Sequence, residues 1–111
     1  MRVENQVHLA DYLAENPCID CGEEDIRVLE FDHRPGVVKV AEVTRMADSG
    51  LNWPIVMAEI SKCDVRCANC HRRRTAERGR WWKQAVYAVR REESEQQVGR
   101  RLHALFPTRL G

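Results

Sequence analysis

The sequence predicts a small α+β domain, in which a short antiparallel hairpin and the helix after it lie between N- and C-terminal helices. Apolar residues recur at helical spacing in several segments, whereas two short runs, 26–31 and 64–66, have the composition of strands. One Cys-x-x-Cys pair precedes the first run and another directly follows the second. A chain of 111 residues has a core of marginal size. A staple that joins the two cysteine pairs would therefore contribute much of its stability.

The two cysteine pairs predict one tetrahedral zinc site, in which the ion serves as scaffold. The ligands are Cys18, Cys21, Cys67 and Cys70. Four thiolates at this spacing are a common zinc ligand set, and the sequence suggests a reducing compartment, where disulfides are rare. Gly22 suits the tight turn by which backbone amides approach sulfur. Disulfide bonds between the same cysteines are the alternative.

The N-terminal third predicts one helix and one strand. The helix covers 4–15, and the Asn-Pro dipeptide at 16–17 ends it. The strand covers 26–31 and delivers Asp-His at 32–33 to its end, before a Pro-Gly turn at 35–36.

The middle of the chain predicts a helical turn at 40–46 and a helix over 53–62, with Asn52 as its N-cap. Apolar residues of this helix fall at spacings of three, four and three, so that they share one face: Trp53, Val56, Ile60 and Cys63. The fifth cysteine, Cys63, is therefore predicted to be a buried core residue rather than a metal ligand.

The C-terminal part predicts a strand at 64–66, a helix over 69–78 with His71 in its first turn, and a further helix from Arg80 onward. The last helix carries two apolar stripes separated by a polar run. The stripes are Trp82, Val86 and Val89, then Val98, Leu102 and Leu105. We expect one of them to pack within the domain and the other on a partner.

Three segments follow from these elements: an N-terminal helix at 1–15, a zinc-bearing domain at 16–78, and a basic, amphipathic helical extension at 79–111. No run of about 18 apolar residues occurs, so we expect no membrane span. The N-terminus lacks the pattern of a signal peptide, and the expected location is cytoplasmic.

Charge is unevenly distributed along the chain, although the net charge is only +1. Residues 1–33 contain nine acidic and two basic residues, whereas residues 66–91 contain nine basic and one acidic residue. Because the basic run lies beside His71, it favours a nucleic-acid footprint over an ordinary solvated helix face.

Three runs of the chain resemble the HNH endonuclease family, in its four-cysteine, zinc-bearing branch. They are PCIDCG at 17–22, LEFDHR at 29–34 and KCDVRCANCHRRRT at 62–75. A Cys-x-x-Cys pair alone is only moderately specific, but two pairs joined to Asp-His and Cys-His are a specific signal. The resemblance covers residues 16–76 and implies a ββα-metal (His-Me) finger that hydrolyses DNA phosphodiester bonds.

The resemblance also implies roles by position. His33 matches the general base that takes a proton from the attacking water. Asp32 and His71 match the two protein ligands of a catalytic Mg²⁺ or Mn²⁺. Without the resemblance, His33 could be a surface turn residue, Asp32 a turn cap, and His71 a zinc ligand in place of a cysteine.

The chain departs from the family pattern at two positions. The family's middle asparagine stands five residues before the third cysteine, where this chain has Lys62. That asparagine often orients the base histidine, so the role is either absent here or met by a backbone carbonyl. Thr75 stands where some relatives carry another histidine.

Double-stranded DNA is the expected partner, and a set of basic side chains is expected to contact its backbone. These residues are Arg72, Arg73, Arg74, Arg78, Arg80 and Lys83. One alternative is a zinc-held DNA-binding module without turnover. Another is a nuclease subunit that docks through Val98, Leu102, Leu105 and Phe106, as a homodimer or within a larger phage or restriction complex. The resemblance suggests a bacterial or phage-infected cell.

Overall fold

The computed structural model describes residues 1–79 and 81–105 and confirms the α+β class. Within these residues a two-stranded antiparallel sheet is accompanied by five α-helices. The helices are α1 (Arg2–Glu15), α2 (Val43–Asp48), α3 (Trp53–Ile60), α4 (Ala68–Gly79) and α5 (Trp82–Leu105), and the strands are β1 (Leu29–His33) and β2 (Cys63–Cys67). The chain divides into two compact units, Met1–Arg73 and Arg74–Gly111.

The hairpin pairs β1 with β2 in a register that sets Leu29 opposite Cys67 and His33 opposite Cys63. Successive side chains of a strand point to opposite faces. Phe31 therefore shares a face with His33, whereas Glu30 shares the other face with Asp32. The neighbouring residues Asp32 and His33 consequently serve different sides of the sheet.

The first strand differs from the prediction at both ends. Ile26–Val28 forms a 3-10 turn, because the side chain of Asp25 accepts a hydrogen bond of 3.0 Å from the backbone N–H of Arg27. The strand begins only at Leu29, and it continues through His33. The Asp-His pair thus lies inside the strand and not after it.

The helices match the predictions apart from their ends. The side-chain amide of Asn16 donates to the Tyr12 carbonyl oxygen at 2.8 Å and closes α1 near the predicted stop. α2 begins three residues later than the predicted helical turn at 40–46. Asn52 is the N-cap of α3, as predicted, but its side chain makes no capping hydrogen bond.

The core is formed by residues of α1, α2, α3 and the hairpin together. Val56 and Ile60 are fully buried, and Trp53 packs partly buried against the same cluster. Cys63 is also buried in this cluster, which confirms both the predicted apolar face and the assignment of the fifth cysteine to the core.

The second unit is described as α5 and the end of α4. Trp82, Val86 and Val89 are exposed within this unit. The ammonium of Lys83 lies 5.7 Å from the centre of the Trp82 ring. Arg80 and Phe106 lie outside the described residues. Among the helices that the structure describes, none is long and apolar enough to cross a membrane.

Candidate functional site

The four predicted zinc ligands lie together in the first unit. The sulfur atoms of Cys18, Cys21, Cys67 and Cys70 are all within 4.8 Å of one another, and those of Cys21 and Cys67 are 3.7 Å apart. Zn–S bonds of about 2.3 Å in a tetrahedron set the sulfurs about 3.8 Å apart. The cluster can therefore hold a metal ion such as zinc with little adjustment. None of these cysteines is in a disulfide bond.

Local backbone geometry explains why these sulfurs converge. Gly22 has a φ of +80°, which an L-residue rarely adopts, and its N–H donates to the Cys18 carbonyl oxygen at 2.9 Å. The N–H of Ile19 donates to the Val65 carbonyl oxygen at 2.9 Å, which ties this tight turn to β2. The N–H of Cys70 is 3.5 Å from the sulfur of Cys67.

The thiols of the cluster differ in their pKa values. Burial opposes ionisation of Cys18, but backbone amides, with Cys67 the strongest, outweigh it and lower the pKa of Cys18 to about 6. A hydrogen bond with the Cys67 sulfur, followed by burial, raises the pKa of Cys70 to about 12. One thiolate can thus be held by the protein alone. A divalent cation among the sulfurs would favour ionisation of the others.

The other predicted centre lies where the first turn of α4 meets Asp32. Nε2 of His71 is 3.4 Å from Oδ1 of Asp32, and Nδ1 of His71 is 2.9 Å from Oε1 of Glu30. Because Glu30 holds Nδ1, the neutral imidazole carries its proton there and turns the Nε2 lone pair toward a carboxylate oxygen. Two acceptors then face each other, an arrangement that needs a cation or a proton between them.

A buried arginine, whose role the sequence did not predict, holds the other oxygen of Asp32. Nη1 of Arg66 donates to Oδ2 of Asp32 at 2.8 Å, and Nε donates to Oδ2 of Asp20 at 2.8 Å. Burial alone would lower the pKa of Arg66, but the hydrogen bonds that it donates to Asp20 and Asp32 raise that pKa, so the guanidinium stays charged. The second oxygen of Asp32, Oδ1, is directed at His71.

His33 makes its contact on the opposite face of the hairpin. Its Nε2 is 2.8 Å from Oε2 of Glu59, and the two side chains are 12% and 2% exposed. Glu59 was also missed, although its position held a signal. It stands three residues after Val56 and four before Cys63, and therefore on the buried face of α3.

Glu59 is held as a buried carboxylate by several donors. The N–H of Val40 donates to Oε2 at 3.0 Å, and the ammonium of Lys62 donates to Oε1 at 2.9 Å. Burial alone would raise the pKa of Glu59, but hydrogen bonds from Lys62, Val40 and His33 outweigh it and lower that pKa to about 2. Glu59 is therefore ionised at neutral pH.

The structure thus brings Asp32 and His71 together and gives His33 a separate set of contacts. The side chains of Arg72, Arg73, Arg74, Arg78 and Lys83 are exposed within their own units. Nη1 of Arg73 lies 3.9 Å from the sulfur of Cys70. The chain matches no family model, no curated protein and no solved structure among those compared with it.

Proposed function

We propose that this chain is a metal-dependent HNH endonuclease that hydrolyses DNA phosphodiester bonds on a ββα-metal finger formed by β1, β2 and α4. One observation carries the proposal: Oδ1 of Asp32 and Nε2 of His71 face each other at 3.4 Å as two metal-type donors. Each is fixed from behind by a charged side chain, Arg66 for Asp32 and Glu30 for His71.

The two donor atoms fit one divalent cation. Adjacent ligands of an octahedral Mg²⁺ with bonds of about 2.1 Å are about 3.0 Å apart, so a small closure of the 3.4 Å gap suffices. An imidazole oriented by a carboxylate is the usual form of a histidine ligand. When bound, Mg²⁺ or Mn²⁺ would neutralise charge on the scissile phosphate and on the leaving oxygen.

His33 supplies the general base in this proposal. In-line displacement at phosphorus requires the attacking water and the leaving oxygen to lie on opposite sides of the phosphorus atom. His33 takes the proton of the water, while Asp32 and His71 serve the side of the leaving group.

The four-cysteine cluster acts as scaffold for this site. Cys67 ends β2 and Cys70 directly precedes His71, so an ion bound by the cluster fixes the start of α4 against the hairpin. Exposed basic side chains on α4 and Lys83 on α5 supply contacts to the DNA backbone, and binding should weaken steeply as salt is added.

The test is cleavage of supercoiled plasmid by the zinc-loaded protein in Mg²⁺ or Mn²⁺. We expect nicked or linear product that disappears with EDTA, and a rate lowered by about 10² to 10⁴ in His33→Ala. His8→Ala is the matched control, because the ring of His8 lies 4.8 Å from that of Trp53 in the same unit and His8 has no role in the proposed mechanism. Cleavage by His33→Ala at the wild-type rate would contradict the proposal.

A second candidate function is a DNA-binding module without turnover. The buried Arg66 favours it, because Arg66 neutralises Asp32 without any metal and gives this carboxylate a structural role. This candidate predicts DNA binding without cleavage in either metal, and no effect of His33→Ala on binding. Cleavage that depends on both His33 and the divalent metal excludes it.

A further inference from the structure

The contact between Glu59 and His33 has the form of a base held by a carboxylate. Glu59 lies on α3, one turn before Lys62, which occupies the position where the HNH pattern has asparagine. The carboxylate is almost completely buried, and a buried charge is costly unless its partners are fixed. Its partners come from three different segments: β1, the loop before α2, and the turn after α3.

The chemistry of these partners determines which nitrogen of the His33 imidazole carries the hydrogen. The N–H of Val40 and the ammonium of Lys62 can only donate, so the Glu59 carboxylate acts as acceptor toward both. Oε2 of Glu59 is also 2.8 Å from Nε2 of His33. The neutral imidazole therefore carries its hydrogen on Nε2, and Nδ1 is left with the lone pair.

We propose that Glu59 is the positioning residue of His33: it holds the ring in the Nε2–H tautomer, so that Nδ1 accepts the proton of the attacking water. This inference rests on the proposed nuclease function for its catalytic part. Lys62 acts on His33 only through Glu59: its ammonium donates to Oε1 of Glu59 and to the Val38 carbonyl oxygen, and so fixes the carboxylate. The orienting role is thus assigned to a side chain, where the sequence pattern suggested its loss or a backbone carbonyl.

A nitrogen-15 spectrum of the histidine rings tests the tautomer directly in the zinc-loaded wild-type protein, near pH 8 and without DNA. The His33 signal is identified by its absence in His33→Ala. We expect Nε2 protonated and Nδ1 unprotonated. The opposite tautomer would overturn the inference whether or not the protein cuts DNA.

Glu59→Gln tests the catalytic part, because it keeps the size of the side chain and removes the carboxylate. A glutamine amide can donate to Nε2 and so favour the wrong tautomer. We expect cleavage at saturating DNA to slow by on the order of 100-fold or more, with a nearly unchanged KM and an altered ring spectrum. Glu42→Gln is the matched control, since Glu42 makes a comparable pair with Lys39 at the surface.

The outcomes separate this inference from the proposed function. If the wild-type protein and the Glu42→Gln control cut DNA while His33→Ala does not, a Glu59→Gln variant that cuts at the wild-type rate overturns the role of Glu59 alone. If no variant cuts DNA, the nuclease proposal fails and the ring spectrum still decides the tautomer. If Glu59→Gln does not fold, the wild-type spectrum decides by itself.

Discussion

The cysteine cluster and the group of Asp32, His33 and His71 lie beside the same two strands, but their polar atoms find partners in different ways. In the cluster, four sulfurs lie close enough together to hold one metal ion such as zinc. In the hairpin, protein side chains already hold the key groups: Arg66 holds Asp32, Glu30 holds His71 and Glu59 holds His33. We therefore expect the first region to depend on a bound metal for its stability, whereas ion pairs and hydrogen bonds between side chains hold the second.

The largest effect should follow the loss of the cluster metal. Removal of zinc by a chelator, or Cys67→Ser, should abolish cooperative thermal unfolding, because the ion joins the loop after α1 to the end of β2. Circular dichroism during heating, with zinc measured per chain, checks this. Removal of Mg²⁺ with zinc retained should leave the unfolding transition unchanged.

Cys63→Ala is the matched control for the cluster, since Cys63 is equally a buried thiol but belongs to the core. It should keep one zinc per chain and a cooperative transition. A zinc-free protein that unfolds with the wild-type midpoint would show that the cluster is not a structural metal site.

The next effect concerns the hairpin. Arg66→Met should destabilise the protein by about 3–5 kcal/mol, because it leaves the buried carboxylate of Asp32 without its cation. Arg27→Met removes an exposed arginine from its pair with Asp25 and should leave the unfolding midpoint nearly unchanged. Urea denaturation of both variants checks the comparison. Equal midpoints would mean that the hairpin is not held by Arg66.

The same contrast explains what the sequence could and could not predict. Cysteine spacing is a local signal with one simple geometric solution, so the four ligands could be named from Cys-x-x-Cys pairs alone. Arg66 looked like part of a basic run because its partner Asp20 lies 46 positions away in sequence. Only the fold reveals that this charge is buried and paired.

Glu59 illustrates a second limit of prediction from the sequence. Its helical position, three residues after Val56, is the signal of a buried side chain, but the sequence does not reveal that His33 and Lys62 converge on it. The predicted start of β1 was wrong for a similar reason. Asp25 forms a local hydrogen bond that competes with the ladder, and the apolar pattern does not record it.

The smallest effect should come from Cys63 and depends on pH. Burial, then the negative charge of Glu59, raises the pKa of the Cys63 thiol to about 11 from an ordinary value near 9. A pKa that is higher in the folded state means that folding favours the protonated thiol. This stability is fully present below about pH 9 and is lost as the pH rises through about 11.

We therefore expect wild-type stability to fall by up to about 3 kcal/mol more than that of Cys63→Ala between pH 9 and pH 11. Urea denaturation of both proteins, zinc-loaded at each pH, isolates this contribution because the other alkaline titrations are common to both. Parallel pH profiles would show that the Cys63 thiol is not desolvated. The thiols of the cluster should behave in the opposite way, since a bound cation would keep them ionised in the folded state: their contribution is complete above about pH 9 and is lost as the pH falls.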